Sequence, residues 1–216
     1  VRAAVLTELK VWQKFNCFRR KARRDCRNII DSRYVMKWKR VRQADGSWKR
    51  IIRARLTVRG FKDAQAHEVA TFAATASKAG QKIVTHFAAQ NKWPLLSLDI
   101  DKAFLQGLTY EELAEETGER KREVSFTLPK SSVGALRLLE GYETFNPITE
   151  VLDLTKPGTG TKDAPQAFNR KLCRATREHG LQSVKIDSQV QTLHIHGARV
   201  LITCIHVDDA KYTGTK

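Results

Sequence analysis

Apolar residues at Val5, Leu9, Trp12 and Phe15/Phe18 repeat at the spacing of one helix face, so residues 1–18 are expected to begin the chain as a helix. Residues 34–39 alternate as a strand, and 44–47 (Ala-Asp-Gly-Ser) make a turn. In the return arm Ile52, Ala54, Leu56 and Val58 share one face, while Arg53, Arg55 and Arg59 take the other. Ser77 is suited to cap a helix reaching about Gln90, with Ile83, Val84, Phe87 and Ala88 as its core stripe. Thr109-Tyr110-Glu111-Glu112 is a capping-box pattern for a short acidic helix ending near Gly118. Residues 124–129 predict a strand and 132–141 a short helix. Asp163 is expected to cap a helix with Pro165 in its first turn, burying Phe168 and Leu172 and ending at His179-Gly180. Residues 189–195 and 199–207 predict a hairpin, with 211–214 as a further return arm.

Two predicted strands end in acids. Residues 95–98 are apolar enough to be buried on at least one face, and they run into Asp99-Ile100-Asp101; residues 200–207 run into Asp208-Asp209. Alternation sets Leu98 and Ile100 on one side and Ser97, Asp99 and Asp101 on the other. A carboxylate at the end of a buried strand is costly unless it is paired, hydrogen-bonded or bound to a cation. Three of them at two strand ends could hold a pair of hard divalent ions; caps and salt-bridge partners use the same residues, so spacing leaves the choice open.

Composition narrows the partners. The 216 residues carry a formal charge of +16 with a pI near 10.0, which calls for a polyanion, either nucleic acid or an anionic membrane surface. Arginine is concentrated in a few segments and no amphipathic helix has a Lys/Arg face, so nucleic acid is the expected partner and a membrane is not. No apolar run approaches the ~20 residues of a membrane span. Cys17, Cys26, Cys173 and Cys204 lack Cys-x-x-Cys spacing, which indicates reduced thiols inside a cell rather than zinc or disulfides. His194-x-His196 has no clear third ligand and is read as a pair of ordinary strand histidines. The basic run 19–27 is read as a solvated loop or import-type signal no less than as a phosphate contact. Glu111, Glu112, Glu115 and Glu116 are read as a solvated helix face. The glycine-rich stretch 157–160, entering a helix, is a general anion or backbone-approach site. Length allows one large domain or two small ones, divided here into 1–93 and 94–216, and both ends look like cuts in a longer polypeptide.

Asp99-Ile100-Asp101-Lys102-Ala103-Phe104-Leu105-Gln106-Gly107 resembles the first palm motif of copia-type LTR-retrotransposon reverse transcriptases, and Val207-Asp208-Asp209 resembles the second. Arg53-Ala54-Arg55-Leu56-Thr57-Val58-Arg59-Gly60-Phe61 is similar to that family's fingers segment, Lys/Arg-Ala-Arg-Leu-Val-x-Arg-Gly-Phe. Thr71-Phe72-Ala73-Ala74-Thr75-Ala76 is similar to Thr-Phe-Ala-Pro-x-Ala, with Ala74 in place of Pro. Gly160, Lys162, Ala164 and Pro165 match a segment in which Gln166 replaces the usual Arg. The motifs keep the family's order along nearly the whole chain.

The resemblance implies an α+β fold: a right-hand polymerase palm, an antiparallel sheet on helices, in 94–216, with a basic fingers subdomain in 1–93 and no thumb. It implies RNA-directed DNA polymerase activity, a nucleotidyl transfer from a dNTP to a primer 3′-hydroxyl with two Mg²⁺ ions, or Mn²⁺ in their place. Asp99, Asp208 and Asp209 would be catalytic and bind metal with the Ile100 backbone. Arg53, Arg55, Arg59, Lys102, Ala103, Phe104 and Gly160 would bind the nucleotide, Phe104 by pressing on the sugar. Lys162, Gln166 and His206 would touch the nucleic acid. The implied partners are an RNA or DNA template with its primer, and the thumb and ribonuclease H of a polyprotein, in a cytoplasmic particle or the nucleus. His206 stands where Tyr is usual, and Asp101 is an additional acid. These departures keep a second reading in view, a decayed fragment that binds nucleic acid without catalysis. A two-metal nuclease or integrase is a third. The isolated fragment is expected to be weak or inactive as a polymerase.

Overall fold

The computed structural model describes residues 1–67, 69 and 71–215. In chain order its first elements are α1 (Arg2–Lys14), β1 (Phe18–Ala22), β2 (Ile29–Arg42), β3 (Trp48–Val58), α2 (Lys78–Asn91), β4 (Leu95–Asp99), α3 (Tyr110–Thr117) and β5 (Ser125–Thr127). They are followed by α4 (Val133–Leu136), β6 (Glu150–Leu154), α5 (Ala164–Glu178), β7 (Gln182–Ser183), β8 (Val190–Ile195), β9 (Ala198–His206) and β10 (Asp209–Gly214). The class is α+β, with five α-helices and two five-stranded sheets among the described residues.

The chain divides into two units, Val1–Val69 with Leu108–Ala164, and Ala70–Gly107 with Pro165–Lys216. Each is assembled from two stretches of sequence, whereas one boundary after residue 93 was expected. That boundary would part α2 from the sheet on which it packs.

In the first unit the strand order is β1-β6-β5-β2-β3, mixed because β5 runs parallel to β2. Helix α1 ends before the predicted Phe18, since Asn16 turns the backbone to φ 51° and Phe18 enters β1 instead. Its buried face holds Val5, Leu9 and Trp12, and Trp12 and Phe18 pack on Phe126 with ring centroids 6.0 and 6.1 Å away. Glu8 is buried on the same face. Its Oε1 accepts the Trp12 indole N–H at 3.2 Å and the Leu56 backbone N–H at 3.1 Å. The outer edge of β3 is closed further along by Val58 N–H to Thr159 C=O (2.9 Å) and Gly60 N–H to Gly160 C=O (3.2 Å).

The first part of the basic run, 19–22, is a paired strand rather than a solvated loop, while Arg24 and Arg27 beyond it are exposed. Arg19 donates to Asp153 at 3.0 Å, and Arg20 grips both oxygens of Glu150 at 3.0 and 2.9 Å. Lys21 reaches Glu123, and Arg23 donates to the carbonyls of Pro147 and Ile148. The acids that fix this strand lie more than a hundred residues away, which is why the local run read as free charge.

In the second unit the order β4-β10-β9-β8-β7 is antiparallel throughout. Ser77 caps α2 as predicted, its Oγ accepting from Gly80 N–H at 2.9 Å. Val84 of α2 packs with Val190, Ile202 and Cys204 on one sheet face, while the expected core residue Ile83 is 43% exposed. Gln191, which alternation turns to the other face, meets α5 through Cys173, and Asn169 donates to Gln189 at 2.9 Å. The turn between β8 and β9 uses His196 and Gly197 at φ 50° and 77°, the positive values of a two-residue hairpin. Helix α5 ends with Gly180 at φ 81°, as the sequence predicted.

Strand β4 departs from expectation. It is the outermost strand, paired on one side only, and Leu95, Leu96 and Leu98 are 46, 47 and 53% exposed. Its apolar residues were expected to be buried on at least one face; alternation fixes which residues share a face but not whether another layer covers it.

Candidate functional site

The two acidic strand ends meet. β4 pairs with β10 so that Asp99 lies directly opposite Asp209, and Asp209 in turn lies opposite His206 of β9. These three side chains form one row across one face, with cross-strand neighbours ~4.5–5.5 Å apart at Cβ. Asp208 occupies the two-residue turn between β9 and β10, and its carbonyl accepts from Ile100 N–H at 2.8 Å. That bond ties the residue after Asp99 to the turn. Asp99, Asp208, Asp209 and His206 are exposed. Val207 precedes Asp208 in the turn at φ 59°, a left-handed conformation that costs a β-branched residue ~1–3 kcal/mol.

Like charges placed opposite one another destabilise a strand pair, and a cation relieves that repulsion. Asp99 and Asp209 therefore suit a hard divalent ion such as Mg²⁺ in donor type and in pairing. Asp208 stands beside them in sequence, yet no group of three His, Cys, Asp or Glu side chains converges for a metal among the described residues. Asp101, also exposed, offers its carbonyl to Gln106 Nε2 at 2.8 Å. Lys102 has φ 56° and leads into a short 3-10 turn over Ala103–Gln106, with Ala103 buried and Phe104 half-buried. That loop is fixed from below, because a Cβ at Gly107 would lie 3.1 Å from Ala167 Cβ and Phe168 N of α5.

The basic hairpin lies in the other unit. Its register sets Lys37 opposite Arg53, Val35 opposite Arg55 and Arg33 opposite Thr57, with Lys39 and Lys49 further out on the same face. The sequence singled out only the β3 arginines of this row; the strand period of 34–39 together with the turn position was the signal for the β2 lysines. Arg59 lies just past β3 and is committed, pairing with Asp31 at 2.9 Å while Lys62 holds the other Asp31 oxygen at 3.1 Å.

The glycine-rich stretch is a packing device. A Cβ at Gly158 would lie 2.6 Å from the Trp12 ring, and at Gly160, φ 102°, it would lie 2.1 Å from Val58 C=O. Close backbone approach to β3 thus accounts for Gly160. Asp163 does not cap α5 with its carboxylate: one oxygen binds Arg122, which also binds Asp63 and lies 5.6 Å over the Tyr110 ring, and the other accepts no hydrogen bond among the described residues. Lys162 is exposed before α5, and Gln166 is half-buried in its first turn. Among the described residues no helix is long and apolar enough to cross a membrane. Compared with known protein families, with curated proteins and with solved structures, the chain matches none.

Proposed function

We propose that this chain is part of an RNA-directed DNA polymerase of the copia-type retrotransposon class, with its second unit as the polymerase palm. The observation that carries the proposal is the register of β4 and β10, which sets Asp99 opposite Asp209 and brings the Asp208 turn beside them. The order of the motifs along the sequence and the one-signed charge of the β2–β3 hairpin support the same reading.

In it, Asp99, Asp208 and Asp209, with the Ile100 backbone, hold divalent metal. Bound Mg²⁺ would supply charge neutralisation on the triphosphate and a lowered pKa at the primer 3′-hydroxyl. Arg53 and Arg55 receive phosphate oxygens, which guanidinium binds by two parallel hydrogen bonds. Lys102 and Ala103 offer backbone N–H groups to phosphate, and Phe104 bears on the sugar and excludes a 2′-hydroxyl. Lys162, Gln166 and His206 contact the template or primer strand.

Binding of Mn²⁺, followed by its electron paramagnetic resonance, tests the metal assignment without requiring turnover. Asp99→Asn and Asp209→Asn are expected to weaken binding at least tenfold, and primer extension on a homopolymer template should fall with it. Unchanged Mn²⁺ binding in both variants defeats the proposal. A parent that binds nucleic acid but neither binds Mn²⁺ nor extends the primer is a fragment that binds without catalysing.

A further inference from the structure

The two faces of the β2–β3 ribbon differ in kind. One is the cationic face described above. On the other, Val58, Leu56 and Ala54 are buried at the base, and the apolar stripe continues outward through Met36, Trp38 and Ile52 beyond the point where burial ends. Met36 is 39% exposed, Trp38 71% and Trp48 67%. Trp48 lies opposite Arg42, and the Arg40–Arg50 pair separates it from the Trp38–Ile52 pair. The two indoles are roughly 13 Å apart along the ribbon, from the ~3.3–3.4 Å rise of a strand residue.

Tryptophan is seldom left this exposed, and here two indoles flank an arginine pair on one surface. No Asp or Glu occurs between Ser32 and Ala44 or between Gly46 and Gly60, so both faces and both edges are of one sign. An apolar protein partner does not match that charge. A polyanion with flat, unpaired rings does, because each base has a face to stack on an indole while guanidinium and ammonium groups take the phosphates. Duplex keeps its rings stacked inside and can use only the cations.

We infer that the outer half of this ribbon is a binding surface for single-stranded nucleic acid, with Trp38 and Trp48 as stacking platforms. The surface is independent of the acidic strand ends, and it binds whether or not metal does.

Tryptophan fluorescence of the full chain, titrated with oligothymidylate of about 10 nucleotides in EDTA, tests it. Quenching is expected on binding. Trp38→Ala and Trp48→Ala should each weaken the single strand about fivefold or more with the salt dependence unchanged. Arg40→Ala and Arg50→Ala, which share the indole face, should instead flatten the logarithmic salt slope by about 0.7 per charge. A duplex of equal length should not distinguish the Trp variants from the parent, and the Trp variants should retain Mn²⁺ binding, separating this surface from the metal assignment. Circular dichroism of each variant controls for folding. A Trp38/Trp48 double variant that binds oligothymidylate as tightly as the parent overturns the inference. So does a parent dimer in sedimentation equilibrium that Trp38→Ala dissociates.

Discussion

Glu8 illustrates how one buried side chain can hold an edge of a sheet. Its buried carboxylate receives two N–H groups, one from its own helix and one from β3. Glu8→Ala leaves both donors buried and unpaired, and it should cost about 2–4 kcal/mol in urea denaturation. Glu8→Gln keeps an acceptor oxygen and should lose much less. Val207 makes the opposite case, since its positive φ is a local cost that the fold sustains. Val207→Gly should raise stability by about 1 kcal/mol, the relief of strain exceeding the added freedom of the unfolded chain. A lower denaturation midpoint for that variant would show that the valine side chain contributes more through packing than it costs in strain.

Among the elements, the loop after β3 is held by charge. Burial alone would raise the Asp31 carboxyl, but the Lys62 hydrogen bond and the Arg59 charge outweigh it and hold the pKa below its ordinary value. A carboxylate depressed in this way stabilises the fold above its unfolded pKa, and the contribution disappears as pH falls through the lowered value. In Arg59→Ala/Lys62→Ala the Asp31 titration seen by NMR should move back up toward the ordinary range. The short-range signals of these elements were legible in the sequence. The Ser77 cap, the Thr109–Glu112 capping box and the β8–β9 turn all depend on neighbours within four residues, and all are present. The ion pairs of Arg19 and Arg20, the commitment of Arg59 to Asp31 and the edge position of β4 depend on partners far along the chain, which periodicity does not encode. For the acids, the sequence located the strand ends, and only the register shows that Asp99 faces Asp209 rather than Asp208.

At the scale of the whole molecule, the chain passes between its two units three times. Each unit therefore closes its core only when distant segments have both been made. Residues 94–216, expressed alone, lack α2 and with it Val84, the centre of one face of the second sheet. That piece should bind the dye ANS and lose cooperative unfolding, whereas a two-part assembly joining 70–107 to 165–216 by a flexible linker should regain it. A sharp urea transition for 94–216 by itself would contradict the division.

The outer half of β3 pairs with β2 on one side and has no strand on the other, and the Glu8 and Thr159–Gly160 contacts guard only its base. What keeps two such ribbons from zipping together in a concentrated solution is mutual repulsion, the usual guard of an open edge. Any molecule that cancels those charges also removes the guard. Substoichiometric RNA should therefore turn the solution cloudy near electroneutrality, and an excess should clear it as each ribbon becomes coated.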